Sequence, residues 1–528
     1  MKFFNKHLFG ALVLLALLPL LPALIVGSPI LVLLIFLFGL GSMRGLWRGV
    51  WNGMSALVSG SLSLLANIFS GLFGGVAWLF GGRSTRTRFM GWFQRWRLFG
   101  EHQDGFLIDG HKRRLSEKST YESLLIQGGM GRGKSSTFVM PNLLNLPQHK
   151  PSFVITDTSG EVYQNTAGYL ARKGYKVRVL NLIDLNQSET YNPLENCRSP
   201  KDIAELAKIL VATANQKPGG KGGDPFWEQS AEKLIRIMAQ SLQNQPDPDV
   251  RNLVNLRHLI TSFDAHAAPK GQLGKIDQFI LSATQTDPAT FSSYRAFVQG
   301  NLKTIQSVLM SADVALDPLG IPEIARLTAT NSIDFAELRR RPTALFILVN
   351  QTQMPFYAFL LNVFYTDLFK SLLTDHHSPG RPVWLFLEEF GHLTVNHFET
   401  YATTARKYKV GFALFLQSLA QLQARYGDLN ARTILESIGT EIYLPGMALD
   451  TARNLEARLG RIKNAPLMSA NEIIRMKEKR ALLLQSNHLP LKLKTRRFYE
   501  QPHLRRRASV SPRTSPAQIN ASPKLIQL

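Results

Sequence analysis

The chain has 528 residues, 45% of them hydrophobic, which is enough for two or three domains with sizeable cores. Its formal net charge of +23 is unevenly spread: the first 100 residues hold nine Lys or Arg and no acid, and from Leu491 onward nine basic residues face Glu500 alone. The body between is only mildly basic, which excludes a uniformly basic nucleic-acid binder, and the single cysteine, Cys197, excludes an internal disulfide or a Cys-based metal cluster and suits a reducing compartment.

Leu8 to Ser42 and Val50 to Gly82 contain no charged residue, and each exceeds the roughly 20 apolar residues that cross a bilayer. Residues 1–82 are therefore expected to be a membrane anchor rather than a cleaved leader, with an even number of crossings. Two arrangements fit. In one, Leu8–Val26 and Ile30–Leu40 cross, turning at Gly27-Ser28-Pro29, and 54–80 lies at the interface; in the other, Leu8–Ser42 crosses once and 54–80 returns. Arg44 and Arg48 favour the first. Arg83, Arg86, Arg88, Arg95 and Arg97, interleaved with Trp92, Phe93 and Trp96, make 83–115 a basic juxtamembrane segment expected on anionic headgroups, with a nucleic-acid groove as the lesser alternative.

The apolar run Leu124–Ile126 leads into Gly128-Gly129-Met130-Gly131-Arg132-Gly133-Lys134-Ser135, followed by Ser136 and a helix-compatible segment. Strand, G-x-x-x-x-G-K-[ST] loop and helix together form a phosphate loop. Its glycines let successive N–H groups of residues 128–136 face phosphate oxygens, with the helix N-terminus adding positive potential. Lys134 is expected on the β- and γ-phosphates of ATP, and the Ser135 hydroxyl on Mg²⁺. Phe153–Thr156 and Lys176–Leu180 read as further strands, so a parallel, doubly wound sheet is expected over 116–198.

Strand signals then stop. Asp202–Asn215, Phe226–Leu242, Val250–Ser262 and Thr290–Ala315 read as helices, opened by the Ser199-Pro200-Lys201-Asp202 cap and interrupted by the flexible Lys217–Gly223 loop. Residues 199–316 are thus an all-α insertion. Strands resume at Ala344–Val349, Val383–Leu387, Phe412–Leu416 and Glu441–Leu444, so 317–490 completes the sheet. From 491 the Pro-, Ser- and Arg-rich sequence reads as a basic disordered tail.

The strand Val383–Leu387 ends in Glu388-Glu389. The carboxyl ends of parallel strands open beside a phosphate loop, so Glu388 is expected in the Mg²⁺ shell and Glu389 at the attacking water. Phe412–Leu416 ends in Gln417, a polar group placed to sense a γ-phosphate. Arg406 is either a surface charge or a finger reaching a neighbouring subunit's nucleotide.

Several further stretches make the chain resemble the type IV coupling proteins, the membrane-anchored ATPases of bacterial conjugation and type IV secretion. They are Pro141-Asn142-Leu143-Leu144 after the phosphate loop, Asp157-Thr158-Ser159-Gly160-Glu161 with Thr166-Ala167-Gly168-Tyr169, and Tyr191-Asn192-Pro193-Leu194. Pro225-Phe226-Trp227-Glu228, Leu387-Glu388-Glu389-Phe390, and Gln417-Ser418-Leu419-Ala420-Gln421-Leu422 with Tyr426-Gly427 complete the set. The resemblance runs from the anchor to about residue 460. It implies a RecA-like α/β nucleotide domain with an inserted all-α domain, preceded by a transmembrane anchor in the bacterial inner membrane, and a homohexamer around a channel. It further implies delivery of relaxase-bound single-stranded DNA, protein effectors or both to the secretion channel, with Arg406 resembling the trans-acting arginine and Gln417 the glutamine of the last motif. The chain departs from the family where Glu388 replaces the usual Asp and where Thr158-Ser159 replaces Pro-Lys; both departures bear on hydrolysis rate more than on nucleotide binding. The rival classes are a membrane adaptor that keeps nucleotide as a structural ligand and a duplex-DNA translocase. The second lacks the small DNA-reading domain expected after the motor.

Overall fold

The computed structural model describes residues 87–215, 224–264, 273–285, 287–377, 379–512 and 523–528. The expected anchor and the Lys217–Gly223 loop lie outside them. No helix among the described residues is long and apolar enough to cross a membrane.

Among the described residues eleven strands occur in chain order: β1 (Leu124–Gln127), β2 (Ser152–Asp157), β3 (Lys176–Asn181), β4 (Thr343–Leu348), β5 (Val383–Leu387), β6 (Val410–Leu416), β7 (Thr440–Tyr443), β8 (Arg461–Ile462), β9 (Ala465–Pro466), β10 (Arg480–Gln485) and β11 (Leu491–Lys494). Nine form one sheet in the order β11-β10-β7-β1-β6-β5-β2-β4-β3, and β8 and β9 pair separately. From β7 to β3 all neighbours are parallel, whereas β10 runs antiparallel to both β7 and β11.

The inner strands are buried along their whole length because alternate side chains feed two different cores. On β5, Val383, Leu385 and Leu387 join one core, while Trp384 and Phe386 join the other. The first core extends through Phe359–Leu372 into the helices between β3 and β4, so the helical block and one sheet face share a single apolar interior. The second lies under the helices Glu161–Arg172 and Pro502–Ala508.

Among the described residues the chain between β3 and β4 contains no strand. Its helices longer than one turn are Pro200–Ala214, Pro225–Gln243, Leu253–Thr261, Lys275–Ala283, Pro288–Val298, Leu302–Leu316 and Pro322–Leu327. The capping box at Ser199 and Asp202 forms as the sequence indicates. The expected single helix over 290–315 is two, because Asn301 accepts from the Lys303 N–H and starts a new helix after Gly300. Lys275–Ala283 is an additional helix.

Two segment assignments need correction. Residues 491–512 are not a disordered tail: β11 closes the sheet, and Leu491, Leu493, Phe498 and Leu504 are buried in the second core. The apolar residues of β11 alternate with exposed lysines, so a half-buried strand looks like a charge run in the sequence. The basic segment is likewise more than a surface anchor. Its Trp92, Phe93 and Trp96 are exposed on the helix Trp92–Phe99, yet Phe99, Phe106, Ile108 and Leu115 enter the second core.

Candidate nucleotide site

In the sheet, β6 lies between β1 and β5, with Gln127 beside Leu416 and Leu387 beside Leu414. The residues just past these three strand ends, Gly128, Gln417 and Glu388, therefore emerge side by side at one edge. Sequence-distant groups meet here because parallel strands all end at the same edge.

The loop is held closely. Gly128 donates its N–H to Leu416 O at 3.1 Å, and a Cβ at Gly128 would come within 2.8 Å of Leu444. Gly131 and Gly133 have φ of +67° and +78°, conformations that L side chains resist. Nothing lies within 4 Å of where a Gly131 Cβ would sit, so the loop is open there. Met130 is exposed, Ser136 donates to Gly133 O at 3.3 Å, and Arg132 reaches Glu478 at 3.8 Å. A Cβ at Gly129 would meet Gly446 O at 3.4 Å, an ordinary contact. The helix after the loop begins with a wide turn: the Met140 N–H bonds Ser135 O across five residues, and Pro141 next to it has no N–H to give.

Lys134 Nζ donates to Gly128 O at 3.1 Å and lies 3.4 Å from a Glu389 carboxylate oxygen. The other oxygen of Glu389 accepts from Gln417 Nε2 at 2.8 Å. Glu389 takes up this bridging position through a left-handed backbone, φ 50°, which turns the chain sharply as it leaves β5. Ser135 Oγ donates to Glu388 Oε1. Glu388 is buried, and burial followed by the neighbouring Asp157 pushes its carboxyl up to about 8, against the opposing pull of the Ser135 hydrogen bond.

Lys134, Ser135, Glu388, Glu389 and Gln417 thus converge. Arg406 does not join them. It lies in the turn before β6, at the opposite edge, half exposed and paired with Glu122 at 3.1 Å.

Two residues that were not candidates on sequence grounds also belong here. Asp157 ends β2, the neighbour of β5, and its fully buried carboxyl accepts N–H groups from Ser159, Gly160 and Tyr163. Burial raises its proton affinity against those bonds. An acid at the end of an apolar strand was the available signal. Arg497 comes from the segment after β11, with Nε only 3.1 Å from where a Gly133 Cβ would stand, and donates to Tyr499 Oη at 2.7 Å. No local pattern links it to the loop.

The Ser135 hydroxyl and the Glu388 carboxyl are hard oxygen donors of the kind Mg²⁺ takes. Among the described residues no three His, Cys, Asp or Glu gather as a metal cage, so Mg²⁺ here would complete its shell with water and phosphate oxygens.

A parallel sheet with a glycine loop at its carboxyl edge, and acids delivered beside it from a second strand, defines the phosphate-loop nucleotide-binding class. Within that class, residues 96–463 match the family model for type IV secretory system conjugative DNA transfer, and the chain belongs to that family. It is 21% identical over 408 residues to protein VirD4 of Agrobacterium fabrum, an alignment covering 71% of this chain and 58% of that protein. The chain therefore spans somewhat over half the length of that curated relative. Its fold is similar to plasmid coupling protein TrwB in complex with the non-hydrolysable ATP analogue ADPNP, with TM-score 0.59 and 17% identity over 80% of this chain and 98% of that one. It is similar also to TrwB in complex with ADP and Mg²⁺, with TM-score 0.57 and 18% identity over 79% and 96%.

Proposed function

We propose that the chain binds Mg²⁺–ATP at this loop and hydrolyses it as the coupling ATPase of a type IV secretion or conjugation system. In this reading it works as a homohexamer at the bacterial inner membrane and delivers relaxase-bound single-stranded DNA, protein substrates or both to the secretion channel. The observation that carries the reading is the junction of Lys134 with Glu389 and of Ser135 with Glu388, two pairs that join the glycine loop to the end of β5.

Bound Mg²⁺–ATP supplies the electrophilic phosphorus and a divalent charge that offsets the negative charge developing on it. The amides of 128–136 and Lys134 grip the phosphates. Ser135 and Glu388 would hold the metal, the Ser135 hydroxyl and the Glu388 carboxylate each offering it one oxygen. Glu389, steadied by Gln417, orients and polarises the attacking water. Arg406, paired with Glu122 away from its own loop, is available to a neighbouring subunit's nucleotide, a role that would make turnover depend on assembly. The longer Glu388 in place of Asp favours slow hydrolysis, and in the extreme an adaptor that keeps its nucleotide.

Steady-state ATP turnover of the intact chain, with and without single-stranded DNA, separates motor from adaptor. The motor predicts turnover stimulated by DNA, and Lys134→Ala lowers it by about 100-fold or more and abolishes DNA transfer. Transfer retained by Lys134→Ala would overturn the reading.

A further inference from the structure

The helical block carries a polar construction that the nucleotide site does not use. Asn255, on the first turn of the helix Leu253–Thr261, is fully buried, and its carboxamide is completely engaged. Its Nδ2 donates to Val250 O at 3.0 Å and to Lys524 O at 2.8 Å, while its Oδ1 accepts the Ile526 N–H at 2.9 Å. One side chain thus reads the main chain of residues 524 and 526, two apart on a segment with no helix or sheet bonding of its own. This is how a groove holds an extended peptide whatever its side chains, leaving specificity to flanking pockets.

Those flanks are present. Lys524 Nζ lies 2.6 Å from Asp247 Oδ2, and Ile526 and Leu528 pack against the apolar core of the block, whereas Leu525 and Gln527, which alternate with them, are exposed. Basic, exposed, apolar, exposed, apolar is the alternation of an extended strand laid on a surface. The receiving wall is fixed by groups that do not touch the segment. Asn252 accepts the Asn255 N–H at 2.9 Å and caps the helix, and Asn192 Nδ2 donates to Arg251 O at 2.8 Å, tying the 244–252 loop to the chain after β3. The Val250 bond orients the Asn255 amide independently of residues 523–528.

We propose that the groove centred on Asn255 is a docking site for an extended peptide of pattern basic-x-apolar-x-apolar, and that residues 523–528 of this chain are its tethered occupant. A partner segment of the same pattern must displace them to bind. The site is independent of nucleotide chemistry, so its test stands or falls apart from the ATPase reading.

Two measurements decide it. In hydrogen exchange on the intact chain, the 523–528 amides are expected to be protected at least tenfold over a free peptide. Asn255→Ala, or an excess of the synthetic peptide Ser-Pro-Lys-Leu-Ile-Gln-Leu, should remove that protection. In fluorescence anisotropy, a chain lacking 523–528 should bind the labelled peptide saturably, at least tenfold more tightly than the intact chain does. Adding Asn255→Ala to the shortened chain, or replacing the peptide residues that correspond to Ile526 and Leu528 by lysine, should weaken binding at least tenfold. Exchange of 523–528 at the free-peptide rate in the intact chain would overturn the proposal. So would failure of a shortened chain with unchanged melting temperature to bind the peptide. If the shortened chain does not fold, the exchange and displacement result on the intact chain decides alone.

Discussion

The carboxyl edge of the sheet and the Asn255 groove each present hydrogen-bonding groups to a ligand, but they are built in opposite ways. At the edge the groups are main-chain amides, freed by Gly131 and Gly133 at positive φ and attended by side chains that come from the glycine loop or just after a strand. In the groove it is the ligand that offers main chain, and a single buried amide 269 residues away reads it. A site made by backbone conformation leaves a local trace in the sequence, because only certain residues tolerate that conformation. A site made by one side chain and a distant segment leaves none.

The largest test of this contrast concerns the chain beyond residue 490. Ending the chain there strips β10 of one of its two neighbours, β11, and removes Leu491, Leu493, Phe498 and Leu504 from the core. At about 1.5–3 kcal/mol for each buried side chain, this approaches the whole stability of a domain. The shortened chain should fail to accumulate in folded form, judged by thermal unfolding, whereas deleting only 523–528 should leave the melting temperature within about 2 °C. Equal melting of both truncations would erase the distinction between sheet segment and docked peptide.

A smaller effect sharpens the glycine argument. Gly133→Ala places a methyl group 3.1 Å from Arg497 Nε and Ser136 Oγ in addition to its left-handed backbone strain. Gly131→Ala meets only the backbone strain, roughly 1–2 kcal/mol. Calorimetric nucleotide affinity should fall about tenfold or more for the first and less for the second; the reverse order would contradict the loop geometry.

The smallest effect tests the junction between the sheet and the helical block. Tyr191 Oη donates to Asp367 at 2.6 Å and Asn196 Nδ2 donates to it at 3.2 Å, but burial dominates and pushes Asp367 up to about 6 from an ordinary 3.8. Between those values the folded chain keeps a proton that the unfolded chain has lost. This group's contribution is therefore fully present below about 3.8 and fades as pH rises through 6, by under about 1.4 kcal/mol per pH unit. Relative to Asp367→Asn, the wild type should lose stability across that window in denaturant titrations. A gap constant with pH would remove Asp367 as the cause.

The same contrast explains how much could be read from the sequence. Five of the seven parallel strands were legible as unbroken apolar runs, because burial on both faces leaves no polar alternation to disguise them; β3 and β7 were legible despite Arg178 and Glu441 within them. β11 was not, since it is half exposed and shows lysines to solvent. Lys134, Ser135, Glu388, Glu389 and Gln417 were legible because each comes just after a strand or sits in the glycine loop. Asp157 carried the same signal unused. Arg497 and Asn255 owe their places to tertiary packing that no short motif encodes.

The central claim, that acids from β5 act on a nucleotide held by the loop after β1, is tested most directly by measuring ATP binding and ATP turnover together in Glu389→Gln. The account predicts affinity within about threefold of wild type and turnover reduced about 100-fold or more, because the amide cradle is untouched while the water loses its base. Wild-type turnover in Glu389→Gln would contradict it.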